Sequence, residues 1–281
     1  MRGPISFQRI STLAFLTCLV ITLTTLFKSA MELEDAEQAY YSQWFRLGYD
    51  DQPPFYTWLQ IAMNRVFGVT NISFSLLRGL LFAGVLLVVY ALARERGNSP
   101  ERSKLSVLLL VLILVFIDFT FRRLSHTTLL CLTVVATCVI VQRLLRNASI
   151  WNYLIFGALM GLGMMSKYNY VFFILGFLVV SLWDESLRTV IWQPKILVSL
   201  LVFILILSPH GYWLWIHGPY QEVLQGIVED KMNSGWSSHT GSVFPVLRFA
   251  LGLFAMFFLM VGVVLLLWYR KQLQFTKSPS S

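Results

Sequence analysis

Apolar runs at about 10–27, 73–93, 105–121, 127–142, 151–166, 169–184, 196–216 and 246–269 leave this sequence few ways to fold. Each is long enough, or nearly so, to cross a hydrocarbon layer of ~30 Å as a helix. Inside such a layer the backbone must satisfy its own N–H and C=O groups, which a helix does and an irregular segment does not. The expected fold is all-α, a polytopic membrane protein of about eight transmembrane helices. Composition agrees: 57% of the 281 residues are hydrophobic and only 13% are charged, with a mean hydropathy of +0.67, outside the usage of soluble domains.

The net charge of +8 would suit nucleic acid only on a solvated fold with a basic patch, and this chain has little solvated surface. Nucleic acid is excluded as a partner, and membrane lipids take its place. The positive-inside rule accounts for the excess. Arg2 and Arg9 precede the first run; alternate connections carry Arg94, Arg96, Arg102 and Lys104, then Arg143 and Arg146, then Arg188 and Lys195, and Arg270, Lys271 and Lys277 follow the last run. These segments are read as cytoplasmic, with both termini inside and the protein in the plasma (inner) membrane. The first run is longer than a signal-peptide core and lacks a small-residue cleavage pattern before Lys28, so it is read as a retained helix.

On this reading residues 1–271 are a single multi-span membrane domain and 272–281 a short cytoplasmic tail, while 28–72 and 217–245 are the two larger outer loops. Phe55, Leu59, Met63 and Val66 recur at helical spacing, predicting an interfacial helix over 53–69 with Pro53 and Pro54 in its first turn. Residues 34–46 are expected to form another, opened by acids that suit a helix N-terminus. Cys18, Cys131 and Cys138 fall in apolar runs without paired spacing, which argues against a disulfide framework or a zinc site. There is no glycine-rich phosphate loop, no His-Glu-x-x-His and no Cys-x-x-Cys.

Against this apolar background, Glu32, Glu34, Asp35 and Glu37 form an acidic cluster directly after the first run, on the outward side. Carboxylates there can act as a general base toward a hydroxyl or as metal ligands, or they can simply be solvated. Lys167 lies between two apolar runs, where an ammonium either snorkels to the interface or pairs with an anion. Arg122 and Arg123 break the positive-inside pattern and call for an anionic partner, a lipid headgroup or a substrate phosphate. Pro209 and Gly211 are expected to kink the seventh run, with His210 either facing a cavity or bonding a freed carbonyl. Arg78, inside the second run, is expected to face protein rather than lipid.

An acidic pair, then Tyr40-Tyr41, Trp44, Gly48-Tyr49 and Gln52-Pro53-Pro54, in that order, resembles the polyprenyl-phosphate-dependent membrane glycosyltransferases. This is the GT-C class that includes protein O-mannosyltransferases and the bacterial lipid A aminoarabinose transferase. The resemblance covers roughly residues 10–215. The family loop usually reads Asp-Glu-Ala with the Asp as proposed base; here it reads Glu34-Asp35-Ala36, with the two acids exchanged. The resemblance implies Glu34 as the base by alignment, with Asp35 as the alternative, and Lys167, in a Ser-Lys-Tyr element after a glycine-rich run, as a ligand of the donor phosphate. Arg122 and Arg123 are candidates for the same phosphate, and Glu37, Tyr41, Tyr49, Gln52, His126 and His210 for substrate contact. His126 stands where many relatives carry Asp in a Thr-Asp-Thr-Pro-like motif.

The resemblance implies transfer of a sugar from a polyprenyl-phosphate donor to a hydroxyl of a glycan, lipid or protein acceptor on the outer face, by inverting displacement. No organic cofactor is expected; a divalent metal would suit clustered carboxylates beside phosphate, and the metal stays open. A non-catalytic carrier or scaffold for lipid-linked sugars is the alternative from another class. Family members commonly carry more spans and an outer C-terminal domain, so a compact version, a truncated inactive relative and one half of a complex all remain open.

Overall fold

The structure, a computed structural model, describes residues 4–24, 30–49, 52–111, 113 and 125–217, with the side chains of 4–9 and 125 left aside. Ten helices occur among the described residues: α1 (Pro4–Thr24), α2 (Leu33–Tyr41), α3 (Phe55–Phe67), α4 (Asn71–Glu95), α5 (Pro100–Val111), α6 (Ser125–Arg146), α7 (Ile150–Ser166), α8 (Tyr170–Trp183), α9 (Glu185–Ile191) and α10 (Ile196–His217). Asp50, Asp51, Arg122, Arg123, most of the third run's second half, the segment 217–245 beyond His217, the run 246–269 and the tail lie outside the described residues.

Among the described residues, three helices are long and apolar enough to cross a membrane: Asn71–Glu95, His126–Arg146 and Ile196–His217. A fourth is added if α8 and α9, bent by 113° at Asp184, make one span, and Ile10–Thr24 and Ile150–Ser166 are shorter apolar helices. The all-helical, multi-span architecture follows from the sequence pattern, and the described residues carry three or four such spans.

Helix ends are set by local chemistry. The Thr70 hydroxyl accepts from the Ser73 N–H at 3.2 Å and opens α4, Ser149 does the same for α7 through Asn152 at 3.3 Å, and the Asp184 carboxylate caps α9 through Leu187 at 2.9 Å, each satisfying one orphan donor. Gly68 (φ 71°) and Gly97 (φ 77°) follow α3 and α4 in the left-handed region that a Cβ disfavours.

Helices in lipid gain nothing from hiding apolar surface from each other, so close packing and interhelical hydrogen bonds hold them. Gly157 and Gly161 line one stripe of α7 and let α10 approach closely. A Cβ on Gly157 would stand 2.3 Å from the Ser199 carbonyl oxygen, and one on Gly161 2.9 Å from Ile206. The Ser199 hydroxyl then donates to the Tyr153 carbonyl at 2.7 Å. Gly79 on α4 receives Cys18 of α1 in the same way. Elsewhere Ile140, Leu144, Tyr153, Phe156, Tyr170 and Ile191 make the main cluster joining α6 to α9. Pro209 stands inside α10 without ending it. Its missing N–H strands the Leu205 carbonyl, and the Ser208 hydroxyl donates to that oxygen at 3.0 Å.

The helix predicted over 53–69 exists as α3, but its face and start differ. Pro54 precedes the helix as its cap, and the buried stripe is Tyr56, Thr57, Gln60 and Ile61. Phe55, Leu59 and Met63 are partly buried against Leu77, Leu81 and Leu129, while Val66 is 73% exposed. Polar groups turn inward because they find partners: the Gln60 amide donates to Asn64 at 2.8 Å and to Ser73 at 3.0 Å, and Asn64 donates to Ser42 at 2.8 Å. This seam fixes α3 against α4 and the loop after α2. The second predicted helix, over 34–46, is shorter and ends at Tyr41.

Candidate active site

The start of α2, the start of α6 and the break between α7 and α8 meet at one end of the bundle. Between them lies a cavity of about 60 Å³ lined by Glu34, Glu37, Gln38, Gln52, His126, Thr127 and Lys167. On α2, Glu34, Glu37 and Gln38 share a face because they stand three and four positions apart. Asp35 is not part of the cavity lining.

Asp35 and Gln38 are the buried positions of α2. The Arg78 Nη2 group of α4 donates to both Asp35 oxygens, at 2.7 and 2.6 Å, and the two side chains are 1% and 7% exposed. Neither charge would be tolerable at that depth without the other. Arg78 faces protein, as the sequence led us to expect, and its partner is one of the two carboxylates considered for the base. Glu34 lines the cavity; Asp35 anchors the helix that carries it.

The imidazole of His126 is built into the cavity wall. The Thr57 hydroxyl donates to Gln38 Oε1 at 3.0 Å, Gln38 Nε2 stands 3.2 Å from His126 Nε2, and His126 Nδ1 stands 3.4 Å from the Ser166 carbonyl. A carbonyl can only accept, so Nδ1 carries the proton; an amide nitrogen can only donate, so Nε2 accepts. The partners thus assign a neutral ring in one tautomer. Tyr56 packs on its face, with centroids 4.6 Å apart. This arrangement suits positioning better than proton transfer.

Lys167 lies in the break between helices, with extended backbone (φ −164°, ψ 138°). Its Nζ donates to the Thr127 hydroxyl at 3.0 Å. Its neighbours on both sides are held by histidines. Ser166 receives His126, and the Tyr168 hydroxyl lies 3.0 Å from His210 Nε2. His210 Nδ1 in turn bonds the Leu47 carbonyl of the first loop at 2.9 Å. Trp213 packs beside Gly48 so tightly that a Cβ there would fall 2.1 Å from the indole. His210 is therefore outside the cavity lining and ties α10 to the first loop.

Of the other substrate-contact candidates, Glu37 and Gln52 line the cavity. Tyr41 packs against Tyr49 with centroids 5.4 Å apart. Tyr49 is buried: its hydroxyl donates to the Trp44 carbonyl at 2.7 Å and accepts from the Arg46 N–H at 3.3 Å. Burial pushes that hydroxyl above the usual phenol range, and the Arg46 backbone bond and charge partly offset the effect. Arg122 and Arg123 lie outside the described residues. Sequence reasoning missed Gln38, which its position four residues after Glu34 could have revealed, and Thr127, which directly follows His126. Among the described residues, no three His, Cys, Asp or Glu side chains gather as a metal-holding group.

Residues 51–213 match the family model described as dolichyl-phosphate-mannose-protein mannosyltransferase. The chain belongs to this family. The matched segment runs from the loop after α2 through most of α10 and takes in the cavity's Gln52, His126, Thr127 and Lys167; the α2 carboxylates lie before it. The chain is also similar to two proteins of Rhizobium johnstonii. The lipopolysaccharide core galacturonosyltransferase RgtB is 32% identical over 189 residues, 66% of this chain and 37% of that protein. The lipopolysaccharide core galacturonosyltransferase RgtA is 32% identical over 196 residues, 69% of this chain and 39% of that protein. The chain thus spans less than two-fifths of the length of these curated relatives. No solved structure matches it.

Proposed function

We propose that this chain carries the catalytic site of a membrane glycosyltransferase that moves a sugar from a polyprenyl-phosphate donor to a hydroxyl on an envelope glycan. The observation that carries the reading is the cavity with Glu34 and Glu37 on one wall and Lys167 on another. A carboxylate and an ammonium across a small polar cavity are what a displacement at an anomeric carbon requires. Glu34 takes the proton from the acceptor hydroxyl as its oxygen attacks that carbon. The bond from the carbon to the phosphate oxygen breaks with its electron pair leaving on the polyprenyl phosphate, and Lys167 meets the charge that develops there. One displacement inverts the centre and needs no covalent intermediate.

The relatives' names support a lipopolysaccharide core as the acceptor class, and a hexuronic acid as the first sugar to try. The Lys/Arg distribution supports about eight crossings with the cavity on the outer face and both termini inside. Arg122 and Arg123, next to the start of α6 in sequence, remain candidates for the donor phosphate.

The test is transfer by the purified protein in lipid nanodiscs. Labelled polyprenyl-phosphate hexuronic acid, hexose and aminosugar are offered with lipopolysaccharide core acceptors. Transfer of one sugar, lost in Glu34→Gln, is the expected result. Donor binding without transfer to any acceptor would favour a carrier, and undiminished transfer by Glu34→Gln would remove the assigned base.

A further inference from the structure

The last turn of α2 and the loop that follows present a surface that the proposed chemistry does not yet use. Tyr40 and Trp44 meet edge to face, centroids 5.4 Å apart and planes at 77°, and are 57% and 45% exposed. The Arg46 guanidinium lies over the Trp44 ring, 5.4 Å from its centroid. The tip is held rigid from beneath. Tyr49 engages the Trp44 carbonyl and the Arg46 N–H, and Trp58 Nε1 donates to the Arg46 carbonyl at 2.7 Å. Phe45 stacks on Trp58 at 5.3 Å. A surface already fixed in shape loses little freedom when it binds.

Two exposed aromatic rings beside a guanidinium have the chemistry for an acidic carbohydrate. The C–H faces of sugar rings lie on aromatic rings, and a guanidinium pairs with carboxylate or phosphate. Position adds direction. From Glu34 to Tyr41 the helix rises roughly 10 Å, so a short oligosaccharide spans both. Arg46 is the sole basic residue in the sequence between Glu32 and Gln60. An acidic group is repelled by the carboxylates opening α2 and attracted at Arg46, which leaves a neutral hydroxyl pointing toward Glu34.

We propose that Tyr40, Trp44 and Arg46 form an acceptor subsite that binds an anionic oligosaccharide and orients its hydroxyl toward the α2 carboxylates. The assignment rests on the transferase reading above. A tip that only dips into the bilayer would also be aromatic, but a guanidinium laid over its main ring and a shared helix with Glu34 favour the carbohydrate.

The test is equilibrium dialysis of the full chain in nanodiscs with labelled lipopolysaccharide core oligosaccharide freed of its lipid. A neutral malto-oligosaccharide serves as the control. Arg46→Gln and Trp44→Leu are each expected to weaken binding of the acidic oligosaccharide about tenfold, and the neutral one to bind at least as weakly as those variants bind the acidic one. Arg46→Gln keeps the loop's backbone bonds, so it reports even if Trp44→Leu unfolds. No binding by the unaltered protein, unchanged binding by Arg46→Gln, or equal affinity for the neutral sugar overturns the proposal. So does a result in which the variants alter only Trp fluorescence on transfer into phosphatidylethanolamine–phosphatidylglycerol vesicles, which assigns the tip to the membrane. Failure of the transferase reading looks different: the unaltered protein would transfer sugar to no acceptor while oligosaccharide binding still depended on Arg46.

Discussion

Arg78 on α4 reaches back to Asp35 on α2 and bonds both carboxylate oxygens through a single nitrogen, at 2.7 and 2.6 Å. The pair pins a nine-residue helix, too short to be stable alone, to one of the longest helices in the bundle. Removing one partner leaves a buried charge without compensation. Asp35→Asn or Arg78→Gln is expected to cost about 3–5 kcal/mol. Thermal unfolding in detergent should show a clear loss for either single variant and substantial recovery in Asp35→Leu with Arg78→Met, where both charges go. Full stability of either single variant would refute the pairing.

Glu34→Gln separates chemistry from folding. The side chain lines the cavity and is half-buried, so an isosteric amide should leave the unfolding temperature near that of the parent. Transfer should fall about 10²- to 10⁴-fold, the usual contribution of a general base. A comparable loss of stability would reassign Glu34 to structure.

Lys167 is expected to act on the donor. Lys167→Met should raise the donor KM and lower kcat, because the charge meets phosphate in the ground state and more strongly as it departs. Lys167→Arg should retain part of the activity, since the charge survives while the bond to Thr127 at 3.0 Å must be remade. An unchanged donor KM and kcat in Lys167→Met would place the phosphate elsewhere, with Arg122 and Arg123 next to be substituted.

Close helix approach gives a prediction independent of catalysis. Gly157→Val forces side-chain carbon into the Ser199 backbone, 2.3 Å from where even a Cβ would stand. Overpacking of this kind costs about 1–3 kcal/mol, occasionally more. Gly176→Ala, on α8 with nothing within 4 Å of the added carbon, should be neutral or slightly stabilising. Equal unfolding temperatures for the two variants would contradict the packing of α7 on α10.

His210 offers a test of the link between α10 and the first loop. His210→Phe keeps the ring stack with Trp213 but loses the bonds to Tyr168 and Leu47. Protease susceptibility of the loop around Leu47 is expected to rise, with activity falling less than in Glu34→Gln. Resistance to cleavage equal to the parent would show that the Gly48–Trp213 contact suffices.

The long helices were legible because α4, α6 and α10 are nearly unbroken apolar runs, and lipid admits few other conformations for them. The face of α3 was misread for a physical reason. Thr57 and Gln60 are buried through hydrogen bonds to Gln38, Asn64 and Ser73, so the apolar stripe was not the most deeply buried one. Glu34 and Asp35 could not be told apart in sequence, since neighbours point about 100° apart on a helix and only the packing partner says which way is inward. That partner, Arg78, is remote in sequence. Tyr49 belongs to the motif that suggested the family, yet its hydroxyl is spent on backbone groups within the loop. Its part in the motif is to shape the loop.

The chain of bonds through Thr57, Gln38, His126 and Ser166 has an electrical consequence. With both ring nitrogens committed, the imidazole contributes no net charge to the cavity it helps enclose. Among the described lining residues, what remains is a carboxylate wall on α2 facing an ammonium at the α7–α8 break. The field across the cavity therefore has a fixed direction, set before any ligand arrives. A proton moving toward α2 and an anion moving toward Lys167 both travel downhill in that field, so the cavity is polarised along the path its proposed reaction would take.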